Sequence, residues 1–98
     1  MPPSRIVTLP AALRDLRSGS VKARVLAADV LGDVTGAGRD AALEGLRAAL
    51  VDDAAEVRAE AATSLGAQRD AGAVEGLIRR LDDGSPPVRQ AAAIALGT

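Results

Sequence analysis

The chain reads as an all-α array of three helix–turn–helix repeats, and three features of the sequence lead there. Asp52, Val57, Arg58, Ala61, Ala62, Leu65 and Gly66 each meet an identical residue thirty-one positions on, without a gap. At an offset of thirty-four, Leu9, Leu16, Arg24, Ala27, Ala28, Leu31 and Gly32 meet Leu43, Leu50, Arg58, Ala61, Ala62, Leu65 and Gly66. No segment alternates apolar and polar residues with period two over a strand's length. A fixed period of this size marks stacked helical units, each burying its apolar face on its neighbours. The expected organisation is an irregular lead-in over residues 1–8 and a single domain over 9–98, with repeats at approximately 9–32, 40–66 and 71–97.

Each element has its own signals. Pro2 and Pro3 oppose helix at the start. Thr8 is a candidate N-cap, and Pro10 falls in the first turn, where its missing N–H does no harm. Leu9, Leu13 and Leu16 then recur at helical spacing, ending near Arg17. Ser18-Gly19-Ser20 breaks the chain. The second helix is expected from Val21 to Leu31, with Ala23, Ala27, Ala28 and Leu31 on one face and Gly32 as its C-terminal stop. The loop Asp33–Gly38 absorbs the three extra residues of the first repeat, where an insertion costs least. The third helix starts at Arg39 or Asp40 and buries Leu43, Leu46 and Leu50. The fourth spans roughly Ala55 to Leu65, turning Val57, Ala61 and Leu65 inward, and Gly66 stops it. The fifth runs from Ala71 to Leu81 with Val74, Leu77 and Leu81 inward. Pro86 or Pro87 opens the sixth, which buries Val88, Ala92 and Leu96 before Gly97.

A Leu-rich first helix, an Asp in the turn and then Val-Arg-x-x-Ala-Ala-x-x-Leu-Gly resembles the HEAT repeat. The similarity is greatest to the short bacterial HEAT-like repeats associated with phycobilisome lyases, and it covers residues 9–97. It implies about six helices in a right-handed superhelical stack. It also implies a ladder of paired charges, Asp52 with Arg58 and Asp83 with Arg89. In the first copy Arg24 is kept, while Ser18 replaces the acid and Ala23 the Val. These arginines and Gly32, Gly66 and Gly97 read as scaffold residues because they recur with the repeat, whereas a catalytic residue normally appears once.

Composition narrows the function. The 98 residues include no Cys, His, Phe, Trp or Tyr, and the formal net charge is −1 with both signs scattered. Thiolate and imidazole chemistry is therefore absent, and no metal or cofactor site is expected. Clustered Lys and Arg are missing, which argues against a nucleic-acid or anionic-membrane partner. Gly36-Ala37-Gly38 lacks the Lys-Ser/Thr of a phosphate-binding loop, and no strand precedes it. No apolar run reaches the roughly 20 residues of a membrane span, and the N-terminus lacks the apolar core of a secretory signal. A cytoplasmic protein that is not an enzyme is the expectation.

Repeat comparison separates scaffold from variable positions. In the second helices Val25/Ala59/Gln90, Leu26/Glu60/Ala91, Asp29/Thr63/Ile94 and Val30/Ser64/Ala95 disagree, and at 100° per residue they point away from the buried stripe. The resemblance places second helices on a concave binding surface. Leu26, Asp29, Val30, Glu60, Thr63, Gln90 and Ile94 are thus candidate contacts for a partner protein or peptide. The alternative is ordinary surface that varies because nothing constrains it. Ends of the stack without polar caps add self-association as a further option. The resemblance leaves two other readings, a bilin lyase-like accessory protein and a DNA-binding glycosylase relative.

Overall fold

The computed structural model describes residues 8–97, so Thr8 alone of the expected lead-in, and all of the domain except Thr98, fall among them. Six α-helices follow one another: α1 Leu9–Asp15, α2 Val21–Leu31, α3 Arg39–Ala49, α4 Ala55–Gln68, α5 Val74–Arg80 and α6 Pro86–Ala95. Short 3-10 turns, Gly36–Gly38 and Ala71–Ala73, lead into α3 and α5. There is no strand among the described residues.

Local chemistry sets the helix starts. Thr8 Oγ1 accepts from the Ala11 N–H at 3.3 Å and Ser20 Oγ from Ala23 at 3.2 Å, satisfying N–H groups that have no partner within the helix. Before the fifth helix Asp70 accepts from the Gly72 N–H at 3.0 Å and so caps the 3-10 turn, whereas the turn into the third helix has no side-chain cap.

Helices pair within each repeat, α1 with α2, α3 with α4 and α5 with α6. Between repeats α2, α4 and α6 lie side by side in one closely packed row, while α1, α3 and α5 form a looser second row. Leu31, Leu46, Val57, Leu65 and Val88 are fully buried between the rows. Ala27, Ala28, Ala61, Ala62 and Ala92 fill the spaces among them.

Gly66 does not end a helix. The fourth helix runs through it to Gln68 and stops at Arg69, which takes the left-handed conformation at φ 52°. Gly32 has ordinary right-handed dihedrals. Both are glycine because the next second helix comes too close for a side chain. A Cβ on Gly66 would lie 2.8 Å from Ala95 Cα, and one on Gly32 would lie 2.6 Å from Ser64 Oγ. Of the three expected helix stops, only Gly97 has a positive φ.

Val74 and Leu81, expected inward, are exposed, and Leu96 is only half-buried. Their equivalents Leu43, Leu50 and Leu65 are buried. Among the described residues a further repeat covers the second repeat but not the third.

Candidate functional site

The charge ladder crosses from each repeat to the next. Arg58 of α4 places Nε 2.9 Å from Asp83 Oδ2 and Nη2 3.0 Å from Oδ1, a two-pronged pair to the turn that follows α5. Arg24 of α2 reaches Asp52 in the same way, with Nη2 donating to Oδ1 at 3.2 Å and Nε standing 3.1 Å from Oδ2 in ion-pair contact. Its Nη2 also reaches Asp53 at 2.9 Å. Within a repeat the arginine instead donates through Nη1 to the turn's backbone: Arg24 to Ser18 O at 2.7 Å, Arg58 to Asp52 O at 2.9 Å, Arg89 to Asp83 O at 2.7 Å.

The expected side-chain pairs, Asp52 with Arg58 and Asp83 with Arg89, are therefore corrected. Within-repeat bonding needs only a carbonyl, so Ser18 serves in the first copy as well as an acid would. Arg89 makes no ion pair among the described residues.

The turn acids do two jobs. Asp52 Oδ1 accepts from the Ala54 N–H at 2.9 Å and Asp83 Oδ1 from Ser85 at 2.9 Å, which fixes the chain as it enters α4 and α6. Hydrogen bonding to Arg58 outweighs burial and holds the Asp83 carboxyl below the usual carboxylate range. For Asp52 burial opposes ionisation, but the Ala54 N–H and Arg24 together still lower it.

Three further contacts have no counterpart in the repeat comparison. Arg47 forks onto Asp70 at 2.6 and 2.7 Å and lies over Gly72, where a Cβ would meet its guanidinium. That bond, against burial, lowers the Asp70 carboxyl. Gln68 donates to Val34 O at 2.7 Å and accepts from Arg39 Nε at 3.1 Å. Buried Ser64 donates to Ala28 O at 2.8 Å, tying α4 to α2.

The candidate contact residues divide. Leu26, Asp29, Thr63, Gln90 and Ile94 are exposed, Leu26 at 57% and Ile94 at 67%. Val30 is not on that open surface. It is half-buried and packs against the core, at the same repeat position as buried Ser64. Glu60 is half-buried, and burial followed by the nearby Asp29 carboxylate raises its carboxyl above the ordinary range. The stack thus brings Asp29 and Glu60 together across α2 and α4, while Leu26 and Ile94 stand on α2 and α6 with α4 between them.

The family model for HEAT repeats matches residues 9–97. This chain belongs to the HEAT-repeat family. Among solved structures it is similar to the complex of CpcE and CpcF of phycocyanin lyase from Nostoc sp. PCC7120. That similarity has 33% identity and a TM-score of 0.84, over 98% of this chain and 39% of that one. It is also similar to human deoxyhypusine hydroxylase in complex with glycerol, at 31% identity and TM-score 0.78, over 91% and 31%. The HEAT repeats here thus span less than two-fifths of either protein. No curated protein matches the chain.

These similarities overturn the expectation that the protein is not an enzyme. One of the matched HEAT proteins is a hydroxylase, and the other belongs to a lyase. Missing His, Cys and Tyr in 98 residues do not separate the chain from catalytic relatives of which it spans so small a part. No helix among the described residues is long and apolar enough to cross a membrane.

Proposed function

We propose that the protein is a docking module that holds a partner protein or peptide against the row α2, α4 and α6. The observation that carries this reading is the pair of strongly exposed apolar side chains, Leu26 and Ile94, on helices whose other large apolar residues Leu31, Val57, Leu65 and Val88 are fully buried. Exposed apolar groups bordered by polar ones suit a protein interface. Here the border is Asp29, Glu60, Thr63 and Gln90. The close packing of this row relative to α1, α3 and α5 supports its being the inner, concave side of the stack. Similarity to a complex of two proteins supports a protein as the ligand.

The test is capture from the native lysate by the wild-type chain and by a folded Leu26→Asp/Ile94→Arg variant. A protein kept by the first and lost by the second supports the assignment. Equal retention by both refutes it.

A second reading rests on the similarity to phycocyanin lyase. On it, the docked partner is a subunit or substrate of a lyase-type assembly. A visible absorbance band on a co-purified partner after incubation with bilin supports that reading, and no band in the presence of the captured partner removes it.

A further inference from the structure

The two joints between successive repeats are built from equivalent positions and are finished differently. At the second joint, two arginines of the chain itself reach across. Arg80 Nη1 donates to Leu50 O at 3.4 Å and to Asp83 Oδ2 at 3.3 Å. Arg47 forks onto Asp70 and covers Gly72. At the first joint the position of Arg80 holds Ala49, and that of Arg47 holds Leu13. Ala49 is too short to reach across. Leu13 folds onto Gly45 instead, its Cδ2 lying 3.0 Å from where a Cβ on that glycine would be.

What remains between α1 and α3 is an open cleft of about 1010 Å³. All its walls belong to the first and second repeats, so it is a joint inside the array and not one of its ends. The acceptors that hold Arg80 at the second joint are kept here, because Leu16 and Asp52, the counterparts of Leu50 and Asp83, both line the cleft. Among the described residues Asp83 is met by two arginines, Arg58 and Arg80, and Asp52 by Arg24 alone. Glu44 and Asp53 add exposed carboxylates on the same wall. On the opposite wall Arg14 and Arg17 are exposed and make no ion pair among the described residues.

We infer that this cleft binds an extended peptide segment of a partner protein through an arginine of that segment, whose guanidinium takes the place that Arg80 fills at the second joint. An acidic side chain of the same segment meets Arg14 and Arg17. The molecule already holds a guanidinium on the equivalent carbonyl and carboxylate, and such a pair suits arginine's planar fork. A ligand carrying positive charge alone is opposed by Arg14 and Arg17, so the acid is part of the recognition. Small ligands bury most of their surface in their sites, which an open cleft does not provide, whereas a peptide lying along it covers the cleft. The site lies on the side of α1 and α3, away from the α2/α4/α6 row, and stands or falls independently of docking there.

The probe is the peptide acetyl-Glu-Ala-Arg-Ala-Glu-amide, in which an extended backbone puts the three charged side chains on one face. Nuclear magnetic resonance titration of the isotope-labelled full chain reads both affinity and place. The expected result is saturable shifts centred on the amides of Gly45 and Ala48, with binding at least tenfold weaker when neutral citrulline replaces the arginine of the peptide. Binding is also at least tenfold weaker to Ala49→Arg, which restores to the first joint the arginine of the second. Ala49 is only 6% exposed, so circular dichroism checks that this variant is folded. A Glu44→Gln/Asp53→Asn variant, altered only at exposed positions, weakens binding at least fivefold and gives the reading should the first fail to fold. No saturable shift up to millimolar peptide, shifts centred elsewhere, or equal binding of the citrulline peptide overturns the inference. Free arginine binding as tightly as the peptide overturns it by making the ligand a small molecule. Binding that tightens tenfold on Arg5→Gln overturns it by making the chain's own Arg5 the occupant.

Discussion

Arg58 and Asp83 belong to different repeats and meet in a two-pronged ion pair, 2.9 and 3.0 Å long, with the Asp83 side chain only 3% exposed. The guanidinium also holds the carbonyls of Asp52 and Asp53 on its own turn. One side chain thus fixes the loop of its own repeat and the loop of the next, and the repeats are joined by charge as well as by apolar burial.

Arg58→Ala leaves the buried Asp83 carboxylate only Arg80 Nη1 at 3.3 Å and the Ser85 N–H at 2.9 Å, and should cost about 2 kcal/mol, less than the roughly 3–5 kcal/mol of a buried pair broken outright. Arg89→Ala, at the same repeat position but with no ion pair among the described residues, loses only the bond to Asp83 O and should cost less, about 1 kcal/mol. Urea denaturation followed by circular dichroism compares them. Equal losses would mean the pairing runs within repeats.

Gly66→Ala tests why glycine sits inside α4. Helix propensity alone favours alanine there by about 1 kcal/mol. The approach of Ala95 reverses the sign, and we expect a loss of about 1–3 kcal/mol from overpacking. Gly84→Ala, with nothing within 4 Å of its Cβ, should change stability by less than about 0.5 kcal/mol. A stabilised Gly66→Ala would refute the close-approach account.

Leu65→Ala empties a site that is 1% exposed and shared by neighbouring repeats, at a cost of roughly 2–5 kcal/mol. Thr63→Ala, two residues away on the open surface, should leave the melting temperature nearly unchanged. Thermal melts showing both harmless would invalidate the assignment of faces.

Glu60 gives stability an unusual slope with pH. Its folded pKa is raised, first by burial and then by Asp29. Its favourable contribution is therefore complete below the free-glutamate value of about 4.3 and is lost as pH rises through the folded value. Asp52, Asp70 and Asp83 are lowered and act oppositely, stabilising above about 3.9 and losing that as pH falls through their folded values. Glu60→Gln should melt higher than wild type at pH 7 and match it near pH 4, with the acid limb kept. Parallel melting curves across that range would remove the Asp29–Glu60 interaction.

Periodic features were legible in the sequence, because each scaffold position is stated more than once. The six helices, the buried Leu and Val positions of the first two repeats and the recurring arginines all follow from the two offsets. What escaped depends on the neighbouring repeat. The partner of Arg58 lies in the next repeat, and Leu81 shares a pattern with Leu50 but not its cover. Gly66 looks like a helix stop until Ala95 is seen against it. Arg47–Asp70 and Arg39–Gln68 each occur once, so comparing repeats cannot reveal them. One missed signal was in plain view: Glu44-Gly45-Leu46 recurs as Glu75-Gly76-Leu77, and both glycines receive a leucine from the repeat before.

Because every joint in this array pairs a forward arginine with a backward aspartate, one repeat length of the chain is a self-consistent unit of inheritance. Duplicating a stretch of thirty-one residues from the middle inserts one arginine and one aspartate together, and both junctions close with the chemistry already present. Such an array can lengthen in a single genetic event without a compensating mutation, and its first copies remain free to diverge on the surfaces that do not touch.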